Sequence, residues 1–168
     1  ASLGSVPGVT GRLHLSAWPG AWAGTADRAA VRRDLATIAA RGARRLVTLV
    51  EARELPLPFA DWRAAVAEAG LDLLHLPIPD YGAPDAEFEA AWGAADLAGR
   101  LVGGEMLAIH CRAGLGRTGT VAARLIIETT GLDADAAIAL VRRDHAAEAV
   151  ETAAQVDYLR TLVERRSR

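Results

Sequence analysis

The residues best suited to chemistry lie in one segment, HCRAGLGRTG at positions 110–119. It holds Cys111, the only cysteine of the chain, and Arg117, with five residues between them. A loop of this length with glycines at 114 and 116 can turn its backbone N–H groups inward and form a nest for an oxyanion. Arg117 can grip two phosphate oxygens in a fork, and such positive surroundings favour the thiolate form of Cys111. The segment therefore predicts a nucleophilic thiolate beside a bound phosphate.

Two other interpretations fit parts of this segment. Gly114, Gly116 and Gly119 match the G-x-G-x-x-G pattern of a dinucleotide site. That site also needs a second strand ending in an acidic residue about 20 positions on, whereas Gly131 and Asp133 lead into another helix. Sulfur transfer through a persulfide also uses one cysteine on an anion-binding loop, but it needs neither an acid nor the Gly-Arg-Thr-Gly continuation. The phosphate interpretation is therefore preferred.

Displacing an alkoxide or phenoxide from phosphorus requires a proton donor on a loop that can close over the substrate. The segment 77–84 is such a loop, because its prolines and glycine exclude regular structure. Asp80 lies inside it, 31 positions before Cys111, and Asp85 follows it directly. Each aspartate also has a structural alternative to the role of proton donor. Asp80 could form a turn, and Asp85 could cap the next helix.

The run at 110–119 resembles the active-site signature of the cysteine-dependent protein tyrosine phosphatase superfamily. Within that superfamily, CRAGLGRTG looks most like the dual-specificity branch, particularly the kinase-associated phosphatases and their bacterial relatives. Three further segments are similar to those relatives: LVTLVEARELP at 46–56, HLPIPDYGAPDAEF at 75–88 and ETAAQVDYL at 151–159. The resemblance covers roughly residues 11–162.

The resemblance implies a role for each matching residue. It makes Cys111 the nucleophile, Asp80 the general acid and Arg117 the group that stabilises the phosphate oxygens. Thr118 would hydrogen-bond the thiolate and help it leave the phosphoenzyme, and His110 would brace the loop. The implied phosphate-binding loop runs from the nucleophile to the arginine and consists of Cys111, Arg112, Ala113, Gly114, Leu115, Gly116 and Arg117.

Gln155, the only glutamine, stands in an E-T-x-x-Q-x-x-Y-L context. In the kinase-associated branch, the matching glutamine is thought to position the hydrolytic water. Relatives usually carry an Arg-Pro-Gly turn before this run, whereas this chain has HAAEA at 145–149. Losing Pro and Gly removes the turn chemistry that would fix this segment, so the position of Gln155 is left open.

Hydrophobic periodicity and Gly/Pro punctuation predict alternating strands and helices around these residues. This alternation is typical of one α/β domain with a mainly parallel central sheet of about four to five strands. We expect helices on both faces, the phosphate-binding loop between a strand and a helix, an N-terminal extension at 1–10 and the domain at 11–165. The predicted strands are 11–15, 45–50, 71–76 and 106–110, and the predicted helices are 27–41, 59–69, 85–101, 118–130, 134–143 and 152–165.

Composition excludes several other classes of function. The formal net charge of −2 over 168 residues argues against nucleic-acid binding, and one cysteine excludes an intramolecular disulfide. The longest uncharged stretch, 13–26, is too short for a membrane span and no basic leader precedes it, so we expect a cytoplasmic protein without membrane insertion. No histidine pairs at metal-ligand spacing, so we predict no metal and no other cofactor. The absence of Lys and Asn indicates GC-rich coding and a bacterial origin.

The sequence as a whole predicts a protein phosphatase that forms a cysteinyl-phosphate intermediate. Phosphoproteins or phosphopeptides are the expected partners; nothing in the sequence predicts an oligomeric state. No segment resembles the long tyrosine-recognition loop of the large tyrosine phosphatases, so phosphoserine and phosphothreonine should enter as well as phosphotyrosine. One alternative is a phosphoinositide or small phosphomonoester phosphatase. Phosphoinositide phosphatases of this superfamily usually have basic residues at two positions of the loop, whereas here Arg112 is basic and Leu115 is not. A phosphoprotein-binding module without turnover is another, although such modules typically lose the Cys, Arg or acid.

Overall fold

The computed structural model describes residues 6–21 and 27–166. Strands and helices alternate along the first two thirds of this part, and three helices follow the last strand. The strands are β1 (Arg12–Ser16), β2 (Ala43–Thr48), β3 (Asp72–His75) and β4 (Met106–His110). The α-helices are α1 (Arg28–Ala40), α2 (Phe59–Glu68), α3 (Ala86–Ala95), α4 (Leu97–Val102), α5 (Gly116–Thr130), α6 (Ala134–Asp144) and α7 (Ala153–Arg166), and a short 3-10 helix spans Ala52–Glu54.

The four strands form one parallel sheet in the order β1-β4-β2-β3. Strand β4 lies between β1 and β2, so its last residue, His110, is paired with Ser16 on one side and Thr48 on the other. Crossover helices are required between parallel strands, and ligands of such sheets bind beyond the carboxyl ends of the strands. The predicted parallel α/β fold is confirmed, and the segment after β4 is at its binding edge.

Helices cover both faces of the sheet and enclose two apolar clusters. On one face α1 and α2 pack against β2 and β4 through residues such as Val31, Leu35 and Trp62. On the other face α3 to α7 enclose the larger cluster, which also takes in Val6 of the N-terminal segment. Helix α5 is the centre of this layer, because every residue from Gly116 to Ile127 is buried. The loop between β4 and α5 is therefore held at both ends by the core.

The prediction of one helix over 85–101 was wrong. Asp96 adopts a left-handed conformation, φ 46°, and separates α3 from α4. Its carboxylate accepts a hydrogen bond from the Gly99 amide at 3.2 Å, so it caps the start of α4. Short polar side chains that bond their own backbone compete with helix continuation. The apolar pattern runs across this break, which is why periodicity alone did not reveal it.

Candidate active site

The loop after β4 presents a backbone N–H group to the cysteine sulfur. Cys111 is buried, 3% exposed, and its Sγ accepts a hydrogen bond from the Gly114 amide at 3.2 Å. Gly114 has φ +79°, and an added Cβ would lie 2.5 Å from the Ser16 carbonyl carbon. Only glycine fits this turn, because the end of β1 leaves no room for a side chain. The Gly114 amide thus faces the sulfur, and the anion nest as a whole stays a prediction.

Arg117 lies in the first turn of α5 and is almost completely buried, 3% exposed. Its guanidinium donates to both carboxylate oxygens of Glu54, at 2.8 and 3.0 Å, and to the Ile78 carbonyl at 3.0 Å. A cation at a helix N-terminus is opposed by the helix dipole, and Glu54 offsets this cost. Burial alone would lower the pKa of Arg117, but the hydrogen bonds to Glu54 and the nearby Cys111 raise it above its ordinary value.

Glu54 is the partner that sequence reasoning missed. It ends the 3-10 helix after β2, and one carboxylate oxygen also accepts from the Glu51 amide at 2.9 Å. Burial alone would raise the pKa of Glu54, but the hydrogen bonds from Arg117 and the Glu51 backbone hold it below its ordinary range. The available signal was physical: a buried arginine needs a carboxylate. Nothing in the residue types shows that this carboxylate is 63 positions away.

The candidate acids separate into two structural positions. Asp80 lies in the loop after β3, half-exposed, with Oδ1 at 3.1 Å from a guanidinium nitrogen of Arg117. Asp85 instead caps α3, where its carboxylate accepts from the Phe88 amide at 2.9 Å. The structure thus brings Asp80, and not Asp85, to the cysteine loop.

A cavity of about 240 Å³ contains the converging groups. Tyr81 stands at its rim, 66% exposed, in a left-handed conformation with φ 57°. A bulky residue with positive φ is a strained arrangement, and such strain clusters at functional sites. The cavity is lined by Asp80, Tyr81, Cys111, Arg112, Ala113, Arg117 and Glu151.

The cysteine loop also contains Arg112, Leu115 and Gly116, and the last of these begins α5. Arg112 is exposed, its guanidinium lies over the Trp18 ring at 5.7 Å from the centroid, and its carbonyl accepts from the Trp18 amide at 3.3 Å. Trp22, the other tryptophan of this region, lies outside the described residues. Leu115 is the N-cap residue of α5, and at Gly116 an added Cβ would collide with the Glu151 carboxylate.

His110 is fully buried behind the loop, in a chain of hydrogen bonds. Its Nδ1 lies 3.1 Å from the Cys111 carbonyl oxygen, which can only accept, so Nδ1 carries the proton. Its Nε2 therefore accepts from the Thr48 hydroxyl at 2.8 Å, and Thr48 accepts from the Trp62 indole at 3.3 Å. Burial lowers the pKa of His110 to about 4, so the ring is neutral near pH 7. His110 thus connects the cysteine loop to β2 and, through Thr48, to α2, and its bracing role stays a prediction.

Thr118 and Gln155 are both buried but differ in their bonding. Within the described residues the Thr118 hydroxyl has no hydrogen-bond partner. The Gln155 side chain is engaged at both ends: its oxygen accepts from the Glu151 amide at 2.8 Å, and its nitrogen donates to the Gly82 carbonyl at 3.0 Å. Gln155 therefore connects the start of α7 to the loop that contains Asp80. Its role in positioning water stays a prediction.

The segment 145–149, which lacks the expected Pro and Gly, is fixed by an arginine instead. Arg142 donates to the carbonyls of Ala149 and Val150, both at 2.9 Å. These bonds support Val150 in a left-handed conformation, φ 60°, which a β-branched residue rarely adopts. His145, at the end of α6, donates from Nε2 to the Gly114 carbonyl at 2.7 Å. The segment thus contacts the cysteine loop directly.

Within residues 6–21 and 27–166, no group of three or more His, Cys, Asp or Glu side chains is arranged to hold a metal ion. In the same part of the chain, no helix is long and apolar enough to span a bilayer.

Comparison with known proteins gives a family match and several matches of fold. The family model of the Swiss Army Knife DSP-PTPase phosphatase domain, PTP-SAK, matches residues 17–168. The crystal structure of Tk-PTP in the active form is 36% identical, with 80% of this chain and 86% of that chain covered and a TM-score of 0.67. No curated protein matches at a significant level.

Two more distant structures share the fold. Kinase associated phosphatase, solved with its catalytic-site cysteine replaced by serine, is 23% identical, covers 95% of this chain and 90% of its own, and has a TM-score of 0.78. PTPMT1 in complex with PI(5)P is 19% identical, covers 93% and 94%, and has a TM-score of 0.68. Since the family model matches most of the sequence and a structure with 36% identity matches 80% of it, this chain belongs to the dual-specificity branch of the cysteine-dependent phosphatases.

Proposed function

We propose that this protein is a protein phosphatase that hydrolyses phosphotyrosine, and also phosphoserine and phosphothreonine, through a cysteinyl-phosphate intermediate. The observation that carries the proposal is the convergence of Cys111, Arg117 and Asp80 on one cavity. The catalytic domain in this proposal spans 11–165, with 1–10 as an extension. The free thiol that the reaction needs favours a reducing compartment, for which we propose the cytoplasm.

In the first step the Cys111 thiolate attacks phosphorus in line with the leaving oxygen. The S–P bond forms as the P–O bond breaks, and the leaving oxygen takes a proton from Asp80. The equatorial oxygens are stabilised by the loop amides and by Arg117, which Glu54 already holds in place. Because the donors are fixed before the substrate arrives, little reorganisation is needed as charge develops.

In the second step water hydrolyses the cysteinyl phosphate. Asp80, now ionised, takes a proton from the water as it attacks phosphorus, and the S–P bond breaks to give inorganic phosphate and the thiolate. The Thr118 hydroxyl donates a hydrogen bond to the departing sulfur, which would give this buried group a partner. Gln155, next to the acid loop, contributes to placing the water.

The rim of the cavity supports a preference for aromatic phosphate esters without excluding the others. The exposed ring of Tyr81 can stack on the ring of phosphotyrosine, and such aromatic pairs add about 0.5–1.5 kcal/mol. The open mouth leaves the thiol reachable for shorter phosphoserine and phosphothreonine side chains. The rim charges are mixed, Arg112 opposing Glu151, which offers a polyanionic inositol headgroup little net attraction.

A substrate panel tests this proposal. Purified protein is assayed on matched phosphotyrosine, phosphoserine and phosphothreonine peptides and on PI(5)P vesicles, with Cys111→Ser as the inactive control. We expect hydrolysis of all three peptides, with the highest kcat/KM for phosphotyrosine, and a larger loss on that peptide in Tyr81→Ala. Turnover confined to the lipid would replace the proposal by a phosphoinositide phosphatase. Peptide binding without turnover would replace it by a binding module.

A further inference from the structure

The carbonyl of Gly114 is held outside the cysteine loop by a residue that none of the preceding steps uses. His145 Nε2 lies 2.7 Å from this carbonyl oxygen. The oxygen can only accept, so Nε2 carries the proton and donates. On the other side of the same residue, the Gly114 amide donates to the Cys111 sulfur. One glycine therefore connects the nucleophile to the histidine that follows the last residue of α6.

The direction of this carbonyl matters for anion binding. A nest binds an oxyanion because successive N–H groups point inward while the carbonyls point outward. A carbonyl oxygen turned towards the cavity would place its partial negative charge against the phosphate. The peptide groups next to a glycine rotate more easily than those next to any other residue. A hydrogen bond from a residue outside the loop can therefore hold the Gly114 carbonyl in the outward orientation that anion binding needs.

Among the described residues, the ring of His145 has one hydrogen bond, the one to the Gly114 carbonyl. Its second ring nitrogen, Nδ1, is buried with no hydrogen-bond partner among the described residues. Buried polar atoms without partners are rare in folded proteins and call for an explanation. Helix α6 fixes the backbone of His145, whose amide donates to the Val141 carbonyl at 2.9 Å. The end of α6 thus places the His145 ring beside the cysteine loop.

We infer that His145 is a positioning residue, whose Nε2–H holds the Gly114 carbonyl out of the nest and thereby sets the affinity of the loop for phosphate. The effect on catalysis follows from the same contact, because the transition state carries its charge on the same oxygens. The catalytic part of the inference rests on the proposed function. The affinity part does not, because it concerns a bound anion without turnover.

Three substitutions of His145 separate donation from packing. His145→Gln keeps an N–H near the position of Nε2, His145→Phe keeps a ring without a donor, and His145→Ala removes both. His75 provides the matched control, because this partly buried histidine also bonds a carbonyl at 2.8 Å, but that carbonyl belongs to Val50, outside the cysteine loop. His75→Ala therefore measures what the loss of a comparable bond does to stability alone.

The readouts are the dissociation constant of inorganic phosphate by calorimetry, kcat and KM on p-nitrophenyl phosphate, and Tm. We expect His145→Phe and His145→Ala to weaken phosphate binding at least tenfold and to lower kcat/KM in parallel, while His145→Gln stays within about threefold of the parent. His75→Ala should lower Tm without changing phosphate affinity.

Two results would overturn the inference: phosphate affinity unchanged in His145→Phe, or equal losses in the Gln and Phe variants. If His145→Ala does not fold, the Gln and Phe pair still decides the question. If the parent binds phosphate but hydrolyses no ester, the proposed function fails while the affinity comparison still tests His145.

Discussion

At the scale of single residues, some members of the proposed site belong to the sequence motif, and others lie near that motif only because of the fold. That Cys111 and Arg117 line one cavity was predictable, because both belong to one short loop and their separation is set locally. Asp80 was assigned by resemblance, and the structure gives it a position 3.1 Å from Arg117. Glu54 and His145 were not predicted, because each acts through a contact across the fold rather than through a local pattern.

The Asp80→Asn variant tests the proton donor. A phosphoserine peptide has a poor leaving group, so we expect kcat/KM to fall by roughly 10²–10⁴-fold, the usual contribution of general acid catalysis. An activated aryl ester such as p-nitrophenyl phosphate needs less protonation and should lose much less. Asp85→Asn is the control: it should leave the rate unchanged. A selective rate loss in the control instead would move the acid to Asp85.

The Glu54→Gln variant tests the anchor of Arg117. Removing the buried Glu54 carboxylate leaves the guanidinium only the half-exposed Asp80 as an ionic partner among the described residues, and should destabilise the fold by on the order of 3 kcal/mol. The folded-state pKa of Glu54 is depressed, so its contribution is present above the unfolded pKa and is lost as pH falls through the folded value. The free energy of unfolding, measured at several pH values from 7 to 3, should therefore fall more steeply for the parent than for Glu54→Gln. Parallel curves would contradict the assignment.

At the scale of elements, helix α5 and the segment before α7 form a close contact that shapes the site. An added Cβ at Gly119 would lie 2.9 Å from both the Ala149 Cβ and the Val150 amide nitrogen. This approach brings Glu151 over Gly116 and to the cavity wall. The sequence predicted the helices on both sides, but not this approach, since it depends on the left-handed Val150, whose carbonyl accepts a hydrogen bond from Arg142. The break at Asp96 was missed for a similar reason, because local capping overrode the apolar period.

Two glycine substitutions test this contact. Gly119→Ala and Gly93→Ala both replace a helical glycine, and alanine favours the helix by about 1 kcal/mol in each case. Nothing lies within 4 Å of the added Cβ at Gly93, so that variant should be more stable than the parent. At Gly119 the collision should reverse the sign and lower the free energy of unfolding. Urea denaturation of both variants gives the comparison, and stabilisation by Gly119→Ala would show that the contact is not tight.

At the scale of the whole molecule, the sheet order collects the functional ends of three strands. Because β4 lies between β1 and β2, the residues after Ser16, Thr48 and His110 share one edge. Alternation of strands and helices was enough to predict a parallel sheet with covered faces. It was not enough to predict the strand order, since that order depends on non-local pairing that leaves no periodic signal in the chain.

Ligand binding should be visible in global stability. Phosphate that binds only the folded state at about 100 times its dissociation constant adds about 2.7 kcal/mol, which for a domain of this size corresponds to a rise in Tm of roughly 5–10 °C. Arg117→Lys should reduce this rise, because an ammonium cannot reproduce the planar fork. Thermal melts across a phosphate series, with sodium chloride at matched ionic strength, measure it. No phosphate-specific rise at saturation would argue against a preformed anion site.

The central claim is that Cys111 carries the phosphoryl group between the two steps. Asp80→Asn makes this intermediate accumulate, because it removes the base for hydrolysis while an aryl phosphate can still phosphorylate the thiol. The decisive measurement is intact-protein and peptide mass spectrometry after rapid acid quench of this variant with p-nitrophenyl phosphate. We predict the mass of one phosphoryl group on the peptide that contains Cys111, and none in the double variant with Cys111→Ser. Steady turnover with unmodified Cys111, or turnover that survives Cys111→Ser, would contradict the account.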